Sequence, residues 1–94
     1  MPTMLVHHKV SDFMKWKPFF DGHETTRKAA GSMGATVFQN IADPTDVFIL
    51  MSWDTVENAK KFGASEDLKK VMERAGVIGI PHIHLLTEAG KSKA

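Results

Sequence analysis

Apolar and polar residues alternate one by one near the start of the chain. In residues 4–10, MLVHHKV, every second side chain falls on the same side of an extended backbone, because successive side chains of a β-strand point to opposite faces. The pattern predicts a first strand, with His7 and His8 on opposite faces.

Three later segments also predict strands. Residues 34–41, GATVFQNI, and 47–53, VFILMSW, are rich in β-branched and aromatic residues, and the intervening ADPTD has turn chemistry, so we expect an antiparallel hairpin. Residues 80–88, IPHIHLLTE, alternate again. Their proline suits the start of a strand or the edge of a sheet.

The first helical pattern covers residues 11–31, with Ser11 or Asp12 available as the N-terminal cap and a glycine at the end. Pro18 removes a helical hydrogen bond and disfavours helix at the residue before it. We therefore predict a two-part helix: a short turn carrying Trp16, and then a main helix with Pro18 in its first turn.

The second helical pattern is also divided. Residues 54–62 open with a capping box, in which Asp54 accepts amide hydrogens and Glu57 follows three residues later. A new cap at Ser65 restarts the pattern. It places one apolar stripe on the following helix, formed by Leu68, Val71, Met72 and Ala75.

The element order is therefore β, α, β, β, α, β, which predicts an α+β, ferredoxin-like domain with a four-stranded antiparallel sheet. Crossover handedness places strand three between strands one and two, and strand one between strands three and four. Helices then cover one face of the sheet. The other face, carrying pairs such as Phe48 and Leu50 or Ile49 and Met51, stays apolar and uncovered, so we expect a homodimer with two facing sheets.

Length and composition narrow the function classes. The 94 residues suit a single domain over 1–94, with a core over about 4–88 and a disordered basic tail over about 89–94. Twelve Lys and Arg against 11 Asp and Glu produce no field that favours nucleic acid or an anionic membrane. The absence of cysteine excludes disulfides and thiolate chemistry. No signal peptide or apolar span is visible, so we expect a cytoplasmic protein.

Two polar residues interrupt the apolar face of the first helix. His23 and Arg27 are four residues apart and share a sector with Phe19 and Phe20, which Trp16 extends. In one interpretation they lie at the edge of the stripe, bonded to a carbonyl or an acid. In the other they line a pocket closed by these aromatics, where His23 takes a proton from a phenol or enol and Arg27 holds the resulting anion.

The remaining histidines form a second candidate group. His8, His82 and His84 lie on strands expected to be neighbours, so they could share one face and bind a metal or a haem iron. No carboxylate joins them with ligand spacing, and we predict no metal site. His8 alone, as a catalytic or hydrogen-bonding group in the cavity, is the favoured interpretation.

The segments VHHKVSDFMKWKPFFDGHE, RKAAG, VFQNIADPTDVFILMSWD and GVIGIPHIHLLTE together resemble the dimeric α/β barrel superfamily, in particular the cyclase-like and antibiotic biosynthesis monooxygenase-like proteins. The resemblance implies facing sheets in a dimer and a small-molecule ligand in a cavity between the sheet and the first helix. Asn40 could bond a substrate carbonyl, as asparagines do in some of these monooxygenases, or could form a local backbone bond. Trp53 and His84 are further candidate contacts, although Trp53 also suits a core position.

Three functions remain open. The first is a monooxygenase- or cyclase-type enzyme without a cofactor, acting on an aromatic or enolisable compound. The second is a small-molecule binding protein that uses the same cavity without turnover, and the third is a structural or interaction module. The chain has no tyrosine, so a mechanism that needs a phenol donor is excluded.

Overall fold

The computed structural model describes residues 2–94. These residues form a four-stranded antiparallel sheet that is covered on one face by four short helices. The strand order is β2-β3-β1-β4, so the predicted ferredoxin-like topology is confirmed. The elements are β1 Thr3–Val10, α1 Phe13–Gly22, α2 Glu24–Ala30, β2 Ser32–Asn40, β3 Asp43–Trp53, α3 Val56–Gly63, α4 Glu66–Arg74 and β4 Val77–Leu86. None of the helices in these residues is long and apolar enough to cross a membrane.

The alternation in β1 divides the two faces of the sheet. Met4, Val6 and Val10 are at most 1% exposed and face the helices, and His8 shares their face. From β3, the core receives Val47, Ile49, Met51 and Trp53. Burial of these alternating apolar side chains is the main force that holds the helices on the sheet.

No helix among residues 2–94 covers the opposite face of the sheet. Leu50 is 38% exposed and Phe38 is 49% exposed on this face, where Phe48 also lies and stacks on His7. Ile49 and Met51 belong instead to the helix-facing core. The predicted apolar, uncovered face therefore carries Phe38, Phe48 and Leu50, and we call it the open face.

The break in the first helix lies at His23 and not near Pro18 as predicted. Pro18 sits in the middle of α1, and it cannot donate to the carbonyl of Met14 four residues earlier. Both residues are exposed, so water can satisfy that carbonyl. His23 ends α1 with a backbone N–H shared between the carbonyls of Phe19 and Phe20, at 3.1 and 3.2 Å.

The hairpin turn also differs from its prediction. It consists of Ile41 and Ala42, while Asp43 and Pro44 already belong to β3. The Asn40 side chain accepts a hydrogen bond from the Ala42 amide at 2.9 Å, which closes a local turn directly after β2.

The caps of the second helical region are partly as predicted. Ser65 Oγ accepts from the Leu68 amide at 3.0 Å and caps α4, as expected. The cap of α3 is Thr55, whose Oγ1 accepts from the Asn58 amide at 3.1 Å. Asp54 bonds the Thr55 amide and the Asn58 side chain instead, so the predicted capping box at Asp54 is wrong by one residue.

Strand β4 begins at Val77, earlier than predicted, and Pro81 lies within it. Because β4 is an edge strand, the missing N–H of Pro81 disrupts little pairing. The pairing with β1 shifts register between His7 and Lys9, and Gly79 takes a positive φ of 73° at this bulge. Residues 87–94 follow β4 without helix or strand, and the disorder of the tail stays a prediction.

Candidate functional site

A cavity lies between the sheet and the helices. Its floor is formed by Val6, Ile49 and Met51, and its walls include Trp16 and Phe20 of α1 and Met72 of α4. The cavity volume is about 40 Å³, well below the roughly 150 Å³ of a protein cavity that holds one benzene ring. The surrounding recess measures about 440 Å³, a volume that includes adjoining open solvent. The closed volume is too small for an aromatic ring system, so a ligand of that size requires the walls to separate.

Three polar side chains line this otherwise apolar cavity, namely His8, His23 and Arg27. All three are at least nine-tenths buried, with exposed fractions of 4%, 9% and 6%. The predicted clustering of His23 and Arg27 on the apolar side of the first helical region is therefore observed, and Trp16 and Phe20 lie beside them. Their roles in binding or catalysis stay predictions.

His23 is fixed by a carboxylate. Its Nε2 lies 2.9 Å from Oδ2 of Asp67, in the first turn of α4. Because an ionised carboxylate only accepts hydrogen bonds, this contact favours the tautomer with its proton on Nε2 and leaves Nδ1 as the acceptor nitrogen. Asp67 is 65% exposed on its side chain, so the pair lies at the rim of the cavity.

Arg27 is buried without an ion pair. One guanidinium nitrogen donates to the carbonyl of Phe20 at 2.6 Å, and the guanidinium carbon lies 3.8 Å from the centre of the Phe20 ring. Among residues 2–94 no carboxylate forms a salt bridge with it. Burial lowers the pKa of Arg27, and the charges of Glu24 and Asp21 oppose that effect. Arginine nonetheless stays protonated in proteins.

Within residues 2–94, His8 has no hydrogen-bond partner on either ring nitrogen. Its ring meets Trp16 edge-on, with the two centroids 5.6 Å apart. Burial, assisted by the neighbouring His7, lowers the pKa of His8 to about 4. The imidazole is therefore neutral at pH 7, with one N–H and one lone pair that no other described residue bonds.

Four other candidate residues lie away from this cavity. Phe19 points outward and is 43% exposed, because it follows Pro18 on the solvent side of α1. Asn40 is held in the hairpin by Ala42 and by the carboxylate of Asp46, which is the local alternative stated above. These two residues are not part of the site in the single chain.

Trp53 and His84 are also displaced from the cavity. Trp53 is fully buried and packs on Phe62, with ring centroids 5.0 Å apart. It lies behind Phe62, which itself lines the cavity. His84 pairs with Leu5 on the open face, so strand alternation turns it away from the helices.

The proposed grouping of His8, His82 and His84 is wrong. His82 pairs with His7, which places it on the open face, whereas His8 faces the helices. Within residues 2–94 no group of three His, Cys, Asp or Glu side chains could hold a metal ion. Alternation within β1 separates His7 from His8, but which of the two shares a face with His82 and His84 depends on the pairing register of β4 with β1.

Asp67, at the rim of the cavity, is the hydrogen-bond partner of His23 that sequence reasoning missed. It lies 44 positions from His23, and neither periodicity nor a motif indicated their contact. An acidic residue is favourable in the first turn of a helix for the helix dipole alone, so the presence of Asp67 there does not indicate a tertiary partner. Only the packing of α4 beside the α1–α2 junction brings the two residues together.

No family model matches the chain, and no curated protein matches it. Solved structures do. SnoaB, a cofactor-independent oxygenase from Streptomyces nogalater, has a TM-score of 0.77 and 11% identity, covering 99% of this chain and 97% of that one. The fold is that of the antibiotic biosynthesis monooxygenases.

Two more structures agree. The ActVA-Orf6 monooxygenase of Streptomyces coelicolor, solved with nanaomycin D, has a TM-score of 0.69 at 19% identity over 99% of this chain and 91% of that one. A Bordetella bronchiseptica protein, assigned provisionally to the antibiotic biosynthesis monooxygenases, has a TM-score of 0.78 at 16% identity over 94% and 96%. These likenesses confirm the predicted resemblance at the level of fold, and function has to be argued from the site.

Proposed function

We propose that this chain is a small-molecule enzyme of the cofactor-independent monooxygenase type, acting on an aromatic or enolisable compound. The observation that carries the proposal is that His23 and Arg27 line one apolar cavity, with His23 bonded to Asp67 at its rim. A base oriented by a carboxylate and a nearby buried cation are what proton removal from an acidic carbon or hydroxyl requires. The fold shared with an oxygenase that needs no cofactor supports the same reaction class.

Each polar side chain has a role in this proposal. His23 accepts the proton at Nδ1 while Asp67 stabilises the imidazolium that forms. Arg27 stabilises the negative oxygen of the resulting anion, and burial strengthens that attraction because little water screens it. The electron-rich anion is then the species that reacts with dioxygen.

Substrate entry requires motion of the cavity walls. Within residues 2–94, the His23–Asp67 contact is the only side-chain hydrogen bond that joins residues 13–30 to residues 56–74. Separating these two helical segments at the rim breaks one side-chain hydrogen bond and exposes the aromatic wall. The catalytic pair therefore also lies where the cavity must open.

The test uses dithranol, a tricyclic enolisable probe, with oxygen uptake and quinone absorbance as readouts. One dithranol and one O₂ yield one 1,8-dihydroxyanthraquinone and one water. We expect the protein to accelerate this oxidation above the spontaneous rate, and His23→Gln to lower the acceleration by about 100-fold or more. Asp67→Asn should lower it less, because the imidazole remains but its tautomer is no longer fixed.

The matched control is Glu66→Gln. Glu66 neighbours Asp67, is exposed, and makes no side-chain hydrogen bond or salt bridge within the described residues, so this change removes the same charge without touching His23. It should leave the rate unchanged. If His23→Gln oxidises dithranol as fast as the unaltered protein, His23 is not the base.

We also propose that the chain is a homodimer whose open faces pack against each other. The apolar side chains on this face include Phe38, Phe48 and Leu50, and none of the helices described in residues 2–94 covers them. Packing two such sheets face to face would remove this surface from water, as in other proteins built from two facing sheets.

A further inference from the structure

The three polar residues of the cavity differ in the hydrogen bonds that they still lack. His23 already has Asp67 as a partner. In the part of the chain that the structure describes, His8 has no partner on either nitrogen, and Arg27 donates one guanidinium N–H to the Phe20 carbonyl. An unpaired polar group in an apolar interior is unfavourable. The unmet groups of His8 and Arg27 therefore describe what the ligand should supply.

Arg27 calls for a negative oxygen. Its charge is nine-tenths buried and has no salt-bridge partner among residues 2–94. A single unpaired cation matches a single negative charge, because a dianion would leave one charge uncompensated in the cavity. The planar guanidinium presents its N–H groups in a fixed fork, which suits a carboxylate or an enolate beside a second oxygen.

His8 calls for a hydroxyl. A neutral imidazole has a donor nitrogen and an acceptor nitrogen, and both are unpaired here. A hydroxyl both donates and accepts, so it can pair with either nitrogen. An ionised group is disfavoured next to this imidazole because it would have only the single N–H to bond, in a place that burial has already made poor at solvating charge.

The rest of the lining defines the body of the ligand. Apart from the three polar residues the cavity is lined by hydrophobic side chains, among them Trp16, Phe20 and Phe62. Aromatic side chains pack best on flat apolar rings. A linear polar metabolite would lose its hydration there without replacement.

We propose that the ligand of this cavity is an apolar ring compound bound as a monoanion, with its ionised oxygen on Arg27 and a separate hydroxyl on His8. This inference rests on the proposed function for the presence of a small molecule in the cavity. It goes further by naming two polar features that the substrate must carry.

Calorimetric titration with naphthalene probes tests both features. The set is naphthalene, 2-naphthoate, and the 1-, 3- and 6-hydroxy-2-naphthoates. We expect 2-naphthoate to bind about 10- to 100-fold more tightly than naphthalene, as for a hydrogen bond to a charged group. At least one hydroxy isomer should bind about two- to tenfold more tightly than 2-naphthoate. Equal affinities across the set, or no binding by any probe, would overturn the inference.

Two variants assign each gain to its residue. Arg27→Met should remove the advantage of 2-naphthoate over naphthalene, whereas Lys28→Met, which removes the same charge from the exposed side of α2, should keep it. His8→Leu should remove the advantage of the hydroxy isomer, and His8→Asn, which restores a donor and an acceptor, should recover part of it. Advantages that persist in Arg27→Met and His8→Leu contradict the inference, provided that circular dichroism shows folded variants.

The dithranol assay separates this inference from the proposed function. If the binding pattern and its loss in the variants appear while oxygen uptake stays at the spontaneous rate, the ligand class stands and the catalytic proposal fails. If oxygen uptake is accelerated but the affinity differences among the probes are unchanged in the Arg27 and His8 variants, the enzyme proposal stands and the ligand class is overturned.

Discussion

The burial of His8 has a consequence for stability in mild acid. The pKa of His8 is lowered from 6.5 to about 4, first by burial and then by His7. Between these two pH values the unfolded chain therefore binds a proton at His8 and the folded chain does not, so the free energy of unfolding rises with pH in that window. Above pH 6.5 neither state is protonated and the effect vanishes. Below pH 4 both states are protonated and the penalty is constant.

The size of the effect follows from the two pKa values. A shift of one unit corresponds to about 1.4 kcal/mol, so the full penalty is about 3 kcal/mol. By the linkage relation, about 2 kcal/mol of this penalty is present at pH 5 and almost none at pH 8. We therefore expect His8 alone to lower the free energy of unfolding by about 2 kcal/mol between pH 8 and pH 5.

Urea unfolding of the unaltered protein and of His8→Leu, at the same protein concentration and at several pH values from 5 to 8, measures this difference. Leucine fills a similar volume and does not titrate, and the other titrating groups cancel in the comparison. The stability advantage of His8→Leu over the unaltered protein should grow by about 2 kcal/mol as the pH falls to 5. Two parallel curves of stability against pH would refute the reasoning, because they would show that His8 is protonated as easily in the folded protein as in the unfolded chain.

Two further substitutions test the fold and the assembly. Gly31→Ala should lower the free energy of unfolding by about 1 to 3 kcal/mol, since Gly31 has a φ of 116° and an added Cβ would collide with the Asp54 carboxylate. Gly22→Ala is the control, because an added Cβ there meets open space. Equal thermal midpoints for the two variants would contradict the prediction. Leu50→Lys should convert the proposed dimer to monomer in sedimentation experiments, because it places a charge in the centre of the open face. The control is Ile41→Lys, which changes a fully exposed residue of the hairpin turn and should leave the dimer intact. A dimer that survives Leu50→Lys would exclude this face as the interface.

The strands were predictable because their signal is local. Alternation at period two fixes which side chains share a face, and in β1 it correctly separated His7 from His8. The position of the turn after Asn40 was harder, because one side-chain bond to Ala42 decides it. The break at His23 likewise depends on where α1 meets the rest of the molecule and not on Pro18, the most conspicuous residue in the segment.

The site was predictable only in part, for a related reason. His23 and Arg27 are neighbours on a continuous stretch of chain, so helical periodicity was sufficient to bring them together. Asp67 and His23 meet only through tertiary packing. His84 was misplaced because its face depends on the pairing of β4 with β1, which sets it opposite Leu5, and no local pattern in the sequence reveals that pairing.

The two tryptophans provide separate optical signals from this one small molecule. Trp16 lines the cavity, where it meets His8 and Phe20, and Trp53 is fully buried behind Phe62. Since the chain contains no tyrosine, all of its emission excited near 295 nm, a wavelength at which only indole absorbs, comes from these two residues. A Trp53→Phe protein would therefore emit from the cavity wall alone, and a Trp16→Phe protein from the core alone. Opening of the cavity and unfolding of the core can thus be timed independently, without any attached dye.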